Sequence, residues 1–216
     1  IKWSQHAVET FKGEYSNWGV SESPLIDGDL VYCTPGGPDA SIVALNKMTG
    51  ATVWTSKGLS EPASYCSPIL AVHNGRRMLI TQLEKSAVAL DAKTGELIWQ
   101  DPFSAYQKEP KGINPNSPLY FNGSVYLSSG YNNESTLLEL SKDGASFNRK
   151  WVDPVLDIHV GGVVLVNGYL YGSNWTNNRE GKWVCLEWNT GKVMYETEWQ
   201  CKGSIITDGS LLYCYE

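Results

Sequence analysis

Short apolar runs and turn-forming dipeptides alternate along the whole chain. The runs, such as "SPLI" (23–26), "LVYCT" (30–34), "SIVALN" (41–46) and "MLITQ" (78–82), are of strand length rather than helix length. Asx-Gly pairs punctuate them at Asp27-Gly28, Asn74-Gly75, Asn122-Gly123, Asn167-Gly168 and Asp208-Gly209. Both residues of such a pair tolerate positive φ, so each pair predicts a tight hairpin. A second series of turns, Thr49-Gly50, Thr94-Gly95, Asp143-Gly144 and Thr190-Gly191, recurs every 45 to 49 residues.

The two series interleave, so each period predicts four antiparallel strands. One phrase recurs with them: "ALNKMTGATVW" (44–54), "ALDAKTGELIW" (89–99) and, less closely, "CLEWNTGKVMY" (185–195). Four-stranded units at this period predict an all-β fold, a β-propeller. The connections are too short for the crossovers that parallel strands need. Blades are predicted at 17–62, 63–112, 113–157 and 158–203. Residues 1–16 read as the end of a preceding blade, with 1–3 as its last strand, and 204–216 as the first strands of a further one. Four complete and two partial blades predict a segment of a larger propeller. In the third blade Trp151 stands seven residues after its turn glycine, against four for Trp99, which predicts a bulge or longer hairpin there.

Composition adds little beyond solubility. Nine Trp and twelve Tyr, with 21 Gly and 10 Pro, favour an all-β, turn-rich domain, and a net charge of −6 offers no basic stripe for nucleic acid. The five cysteines (Cys33, Cys66, Cys185, Cys201, Cys214) form no CxxC pair and read as free thiols packing like small hydrophobes. No apolar run spans a bilayer, and the start at Ile1 implies a removed leader or a longer chain, so an upstream lipid anchor stays open. Three Asn-x-Ser/Thr triplets (Asn122, Asn133, Asn174) have the chance character of such short patterns.

The phrase Ala-x-Asp-x-x-Thr-Gly-x-x-x-Trp at 89–99, and its near copy at 44–54, resembles the tryptophan-docking repeat of pyrroloquinoline-quinone-type (PQQ-like) propellers. That superfamily includes quinoprotein alcohol dehydrogenases and BamB-like assembly lipoproteins. "WGVSESPLIDGDLVYCTPGG" and "HVGGVVLVNGYLYGSNW" bring the chain close to a secreted bacterial alcohol or polyvinyl-alcohol dehydrogenase-like subgroup. The resemblance implies a periplasmic or secreted location and structural docking roles for Trp3, Trp54, Trp99, Trp151 and Tyr195. Each indole should lie between blades with its N–H on a backbone acceptor. Such a motif specifies the fold and says almost nothing about activity.

Chemistry is expected where the first strands begin, around the axis. Glu22, Cys66, Asn116 and His159 stand at those starts, extended by Asp157, Asn174 and Trp175. A Glu or His at a strand start is more often hydrogen-bonded to local backbone than catalytic, and Trp18 and Trp175 are more often packing residues than a cofactor platform. An active quinone site, as the resemblance implies it, needs an aromatic floor, basic groups and a calcium on carboxylate and amide oxygens. Glu22 and Asn116 are the calcium-ligand candidates, and Glu22, Asp157 and His159 the catalytic ones. No vicinal Cys-Cys occurs, and the arginines avoid the strand starts: Arg76 and Arg77 follow the Asn74-Gly75 turn, and Arg149 and Arg179 read as hairpin or loop residues. No phosphate loop, HExxH or GxSxG motif is present. The leading expectation is a non-catalytic propeller that binds a small molecule, glycan or protein at its axial face. A PQQ- and calcium-dependent alcohol or sugar dehydrogenase is the alternative, and a BamB-like assembly scaffold the third reading.

Overall fold

A computed structural model describes residues 1–14, 17–108, 111–198 and 201–216. Four antiparallel four-stranded sheets follow one another in chain order, each a simple meander. The first holds β1 (Leu25–Asp27), β2 (Leu30–Cys33), β3 (Val43–Asn46) and β4 (Thr52–Thr55). The second holds β5 (Ile69–His73), β6 (Arg76–Gln82), β7 (Ala87–Asp91) and β8 (Leu97–Asp101). The third holds β9 (Leu119–Phe121), β10 (Ser124–Leu127), β11 (Ser135–Leu140) and β12 (Phe147–Asp153). The fourth holds β13 (Val163–Val166), β14 (Tyr169–Ser173), β15 (Lys182–Glu187) and β16 (Val193–Glu198). A two-stranded sheet, β17 (Ser204–Thr207) and β18 (Leu212–Tyr215), follows. The architecture is the propeller-like one that the repeat predicts.

The predicted hairpins fall at the predicted dipeptides. Asn74, Asn122 and Asn167 adopt positive φ, as do the glycines that follow them. In the Thr-Gly turns the preceding Asx nucleates the loop: Asp91 Oδ1 accepts from the Thr94 N–H at 2.9 Å, and Asn46 Oδ1 from the Thr49 N–H at 3.1 Å.

The core lies between sheets. Along β7, Val88 and Leu90 pack with Tyr32, Ile42, Ala44 and Trp54 of the first sheet. The alternate residues Ala87 and Ala89 pack with Val125, Leu127 and Leu138 of the third. A strand period of two therefore serves two interfaces at once, which is why these strands read as continuous apolar runs. Tyr126 and Leu137 repeat the arrangement against Leu170, Val184 and Leu186.

The closing tryptophans reveal a second regularity. Trp54 covers Gly95 of the next sheet, and its Nε1 donates to the Ala92 carbonyl at 3.3 Å. Trp3 covers Gly50 and donates to Lys47 (2.9 Å), and Trp151 covers Gly191 and donates to Trp188 (2.9 Å). Trp99 departs from the pattern. It meets Phe147 edge-on at 5.2 Å, and its buried Nε1 has no partner, contrary to the expected backbone acceptor. The cause is the third sheet's hairpin, where β11 and β12 add the pairs Glu139↔Asn148 and Leu140↔Phe147 before the turn. Gly144 is thereby moved away, against His73 and Met78, and Phe147 takes its place under the indole.

The third sheet has both a bulge and a longer hairpin; a register shift at the closing aromatic occurs in all four sheets, so only the longer hairpin is peculiar to the third. Two expectations are corrected. Residues 1–3 form no strand: Trp3 docks without one, ahead of a short helix, α1 (Ala7–Thr10). Arg149 lies within β12, where it pairs with the buried Asp101 at 3.0 Å and stacks on Tyr106 at 3.8 Å. Tyr195, the closing aromatic of the fourth sheet, meets Tyr171 at 6.5 Å.

Candidate functional site

In each meander both hairpin turns fall at one end. The starts of the first strands and the second-to-third-strand loops therefore share the opposite end. Ser21, Tyr65, Ser67, Asn116 and His159, drawn from four successive starts, line a single cavity of about 470 Å³. Hydrogen bonds link the starts in series. The Ser23 N–H donates to Ser67 Oγ (2.9 Å), Cys66 Sγ to the Asn116 carbonyl (3.2 Å), and the Ile205 N–H to the Gly161 carbonyl (3.3 Å). Asn116 Nδ2 donates to the Ile158 carbonyl and completes the chain of contacts.

Several expected site residues are thus committed to structure. Cys66 is buried, and burial pushes its thiol up to about 11, which leaves it an inert packing group. Asn116 is clamped between sheets, with its own carbonyl accepting from Gln82 Nε2 at 2.7 Å. Asn174 bridges Val155 (2.9 Å) and Lys182 (2.7 Å) across its loop. Asp157 is 2 % exposed, and its oxygens accept from the N–H groups of Gly130 (2.7 Å) and Asn133 (3.0 Å). Burial outweighs these bonds and raises its pKa to about 7. Glu22 faces away from the cavity: its Oε2 accepts from the Thr34 N–H (2.8 Å) and from the Thr34 hydroxyl. Glu22 and Asn116 line different cavities, so the two calcium-ligand candidates are not assembled into one site.

Asp157 nevertheless shapes the site. The loop it holds places Tyr131, in the left-handed region at φ 66°, against His159 (4.6 Å between ring centroids) and Trp175 (5.2 Å). Gly130 (φ 83°) is needed there, because a Cβ would lie 2.6 Å from His159 Cβ. Lys111 approaches the Tyr131 ring at 5.5 Å, and Lys202 Nζ lies 3.3 Å from His159 Nδ1. Burial, reinforced by the Lys202 charge, lowers the His159 pKa to about 4, so the imidazole is neutral near pH 7. With the ammonium donating to Nδ1, the ring hydrogen belongs on Nε2. Trp18, 69 % exposed, meets Tyr65 at 6.0 Å and extends the aromatic arc at its far end.

The face therefore presents π surfaces, hydroxyls, a neutral imidazole and two ammonium groups. These suit a ring-bearing ligand with negative charge. Aromatic and cationic parts of a quinone site are present in kind. Glu22 and Asp157, the acidic candidates, are engaged by Thr34 and by the Gly130–Asn133 loop, and no cluster of three His, Cys, Asp or Glu occurs among the described residues. Arg76 and Arg77 sit at the opposite end, on Asp143 (3.0 Å) and Asp27 (2.6 Å).

Stacked antiparallel meanders that open on one shared face define a β-propeller repeat protein. This chain belongs to the family described as outer membrane protein assembly factor BamB, whose profile matches residues 1–197. It is similar to the 1-butanol dehydrogenase (cytochrome c) of Thauera butanivorans, 26% identical over 122 residues, or 53% of this chain and 17% of that one. It is also similar to the quinoprotein ethanol dehydrogenase of Pseudomonas aeruginosa, 35% identical over 97 residues, or 39% of this chain and 15% of that one. The chain thus matches under a fifth of the length of either relative. Among solved structures, BamB from Moraxella catarrhalis superposes with a TM-score of 0.63 at 17% identity, over 88% of this chain and 56% of that one. That likeness concerns the fold.

Proposed function

We propose that this chain forms part of a non-catalytic, periplasmic or secreted propeller whose axial face binds an acidic saccharide or similar ring-bearing anion. The observation that carries the reading is the Tyr131–His159–Trp175 cluster flanked by Lys111 and Lys202. Aromatic faces stack on sugar or conjugated rings, and lysines supply charge complementarity. Tyr131, Trp175 and Lys202 are the binding residues, and Asp157 is a positioning residue behind them.

Calorimetric titration of the full-length protein with oligogalacturonate and with an uncharged oligosaccharide of equal length tests this. The acidic ligand is expected to bind, with affinity falling at least tenfold in Lys202→Ala and in Trp175→Ala. Equal binding of the two saccharides, or none of either, would contradict the reading.

A second reading, oxidation of an alcohol with PQQ and calcium, is favoured by the two dehydrogenase similarities. In that reading the axial aromatics would hold the planar quinone and the lysines its carboxylates, while the bound quinone supplies the redox chemistry. A third, an assembly scaffold, is favoured by the family description; co-purification with an outer-membrane assembly partner would support it.

A further inference from the structure

A second cavity, of about 230 Å³, lies between the N-terminal segment and the first sheet. Its wall is largely apolar, built from Val8, Val20, Val31 and Leu45, with the rings of Trp3 and Tyr65 on its border. The charged side chains in its lining are Glu14 and Glu22, both acidic. Two buried acceptors on its wall have no partner: Glu22 Oε1 and Gln5 Oε1.

That combination is chemically one-sided. Glu22 Oε2 already accepts both Thr34 donors, so the unpartnered Oε1 lacks a hydrogen that a ligand could bring. A buried carboxylate without a counter-charge is costly, and among the described residues no lysine or arginine borders the cavity to supply one. An ammonium group would satisfy Glu22, while its hydrocarbon part covers the apolar wall. Aromatic rings beside a carboxylate are also the usual surroundings of bound organic cations.

The geometry points to a binding site for a small hydrophobic ammonium ion in this cavity, with Glu22 as its counter-charge. This site adjoins the lysine-flanked axial face, sharing Ser21 and Tyr65 with its cavity, and takes a ligand of opposite charge. Because burial holds the Glu22 pKa near 7, uptake of a cation expels a proton, and affinity strengthens as pH rises through that value.

The test is calorimetry of the full-length protein with n-hexylammonium, 1-hexanol and hexanoate, at pH 6 and pH 8. Hexylammonium is expected to bind at one site, about tenfold more tightly at pH 8 than at pH 6. Hexanol should bind more weakly than the amine at pH 8, with an affinity independent of pH, and hexanoate should not bind. In Glu22→Gln the amine should lose its advantage over the alcohol. Equal affinity for amine and alcohol, or binding unchanged in a folded Glu22→Gln, would overturn the proposal. Should that variant fail to fold, the amine-to-alcohol ratio and its pH profile in the unaltered protein decide alone. Failure here leaves the axial reading untouched, since neither Lys202 nor Trp175 borders this cavity.

Discussion

Trp54→Ala is expected to lower stability by about 3–5 kcal/mol, the range for removing a buried large aromatic. The indole is 8 % exposed, caps Gly95 of the neighbouring sheet and stacks obliquely on Tyr32 at 5.8 Å. Removing it opens the boundary between the first two sheets. For a domain of this size the shift should be roughly 10 °C in melting temperature. A Cβ at Gly95 would lie 2.4 Å from the same ring, so Gly95→Val should damage the same interface, and the two losses should combine less than additively. Denaturant melts of the four proteins decide this. A loss below 1 kcal/mol for Trp54→Ala would remove the indole from its docking role.

Trp99 sharpens the point. Its ring is buried at 6 % exposure, so Trp99→Ala should be comparably harmful. Phenylalanine should distinguish the two sites. Trp54→Phe forfeits the bond to Ala92, whereas Trp99→Phe removes an N–H that has no partner, and should be the milder change.

The second large effect concerns Asp157. Asp157→Ala strands the buried N–H group of Gly130 and leaves that of Asn133 only its 3.3 Å bond to the Gly130 carbonyl, so a loss of about 1–3 kcal/mol is expected. The pH dependence has a defined sign. Burial raises the folded pKa to about 7, above the ordinary carboxyl value of 3.8, so the folded state binds the proton more tightly. The resulting stabilisation is complete below about pH 4 and is lost as pH rises through 7. Glu22, held near 7 by the same cause, adds to the slope in the same direction. Melts from pH 5 to 8 should therefore show falling stability, less steeply in Asp157→Ala. A profile that the substitution leaves unaltered would exclude Asp157 as its source. Ligand affinity at the axial face should fall with the substitution, because Tyr131 is carried on the released loop.

The fold was legible because its signals are local. Asx-Gly and Thr-Gly pairs fix hairpins whatever the surroundings, and their spacing fixes the four-strand period. The longer hairpin of the third sheet was legible as well, in the displacement of Trp151. Its consequence was not: that Trp99 would lose its glycine and its acceptor follows from where the next sheet's turn lands, a tertiary matter. The candidate site was half legible. Strand starts pointed to His159, Asn116 and Cys66, yet the buried hydrogen bonds that commit Asn116 and Cys66 to structure depend on neighbouring sheets. Tyr131 carries no strand-start signal: it stands on a loop between second and third strands, as Trp175 does, and those loops open on the same face. Lys111 reaches the Tyr131 ring only through the tertiary fold.

Reaction with alcohol probes the central claim, a binding rather than an oxidising axial face, most directly. The full-length protein, saturated with pyrroloquinoline quinone and calcium, is given ethanol or 1-butanol and a redox dye. No dye reduction above that of the protein-free mixture is expected, because Glu22 and Asp157 are committed to Thr34 and to the Gly130–Asn133 loop. Alcohol-dependent dye reduction that requires both quinone and calcium, and is lost in Trp175→Ala, would contradict that claim and make the chain part of a dehydrogenase.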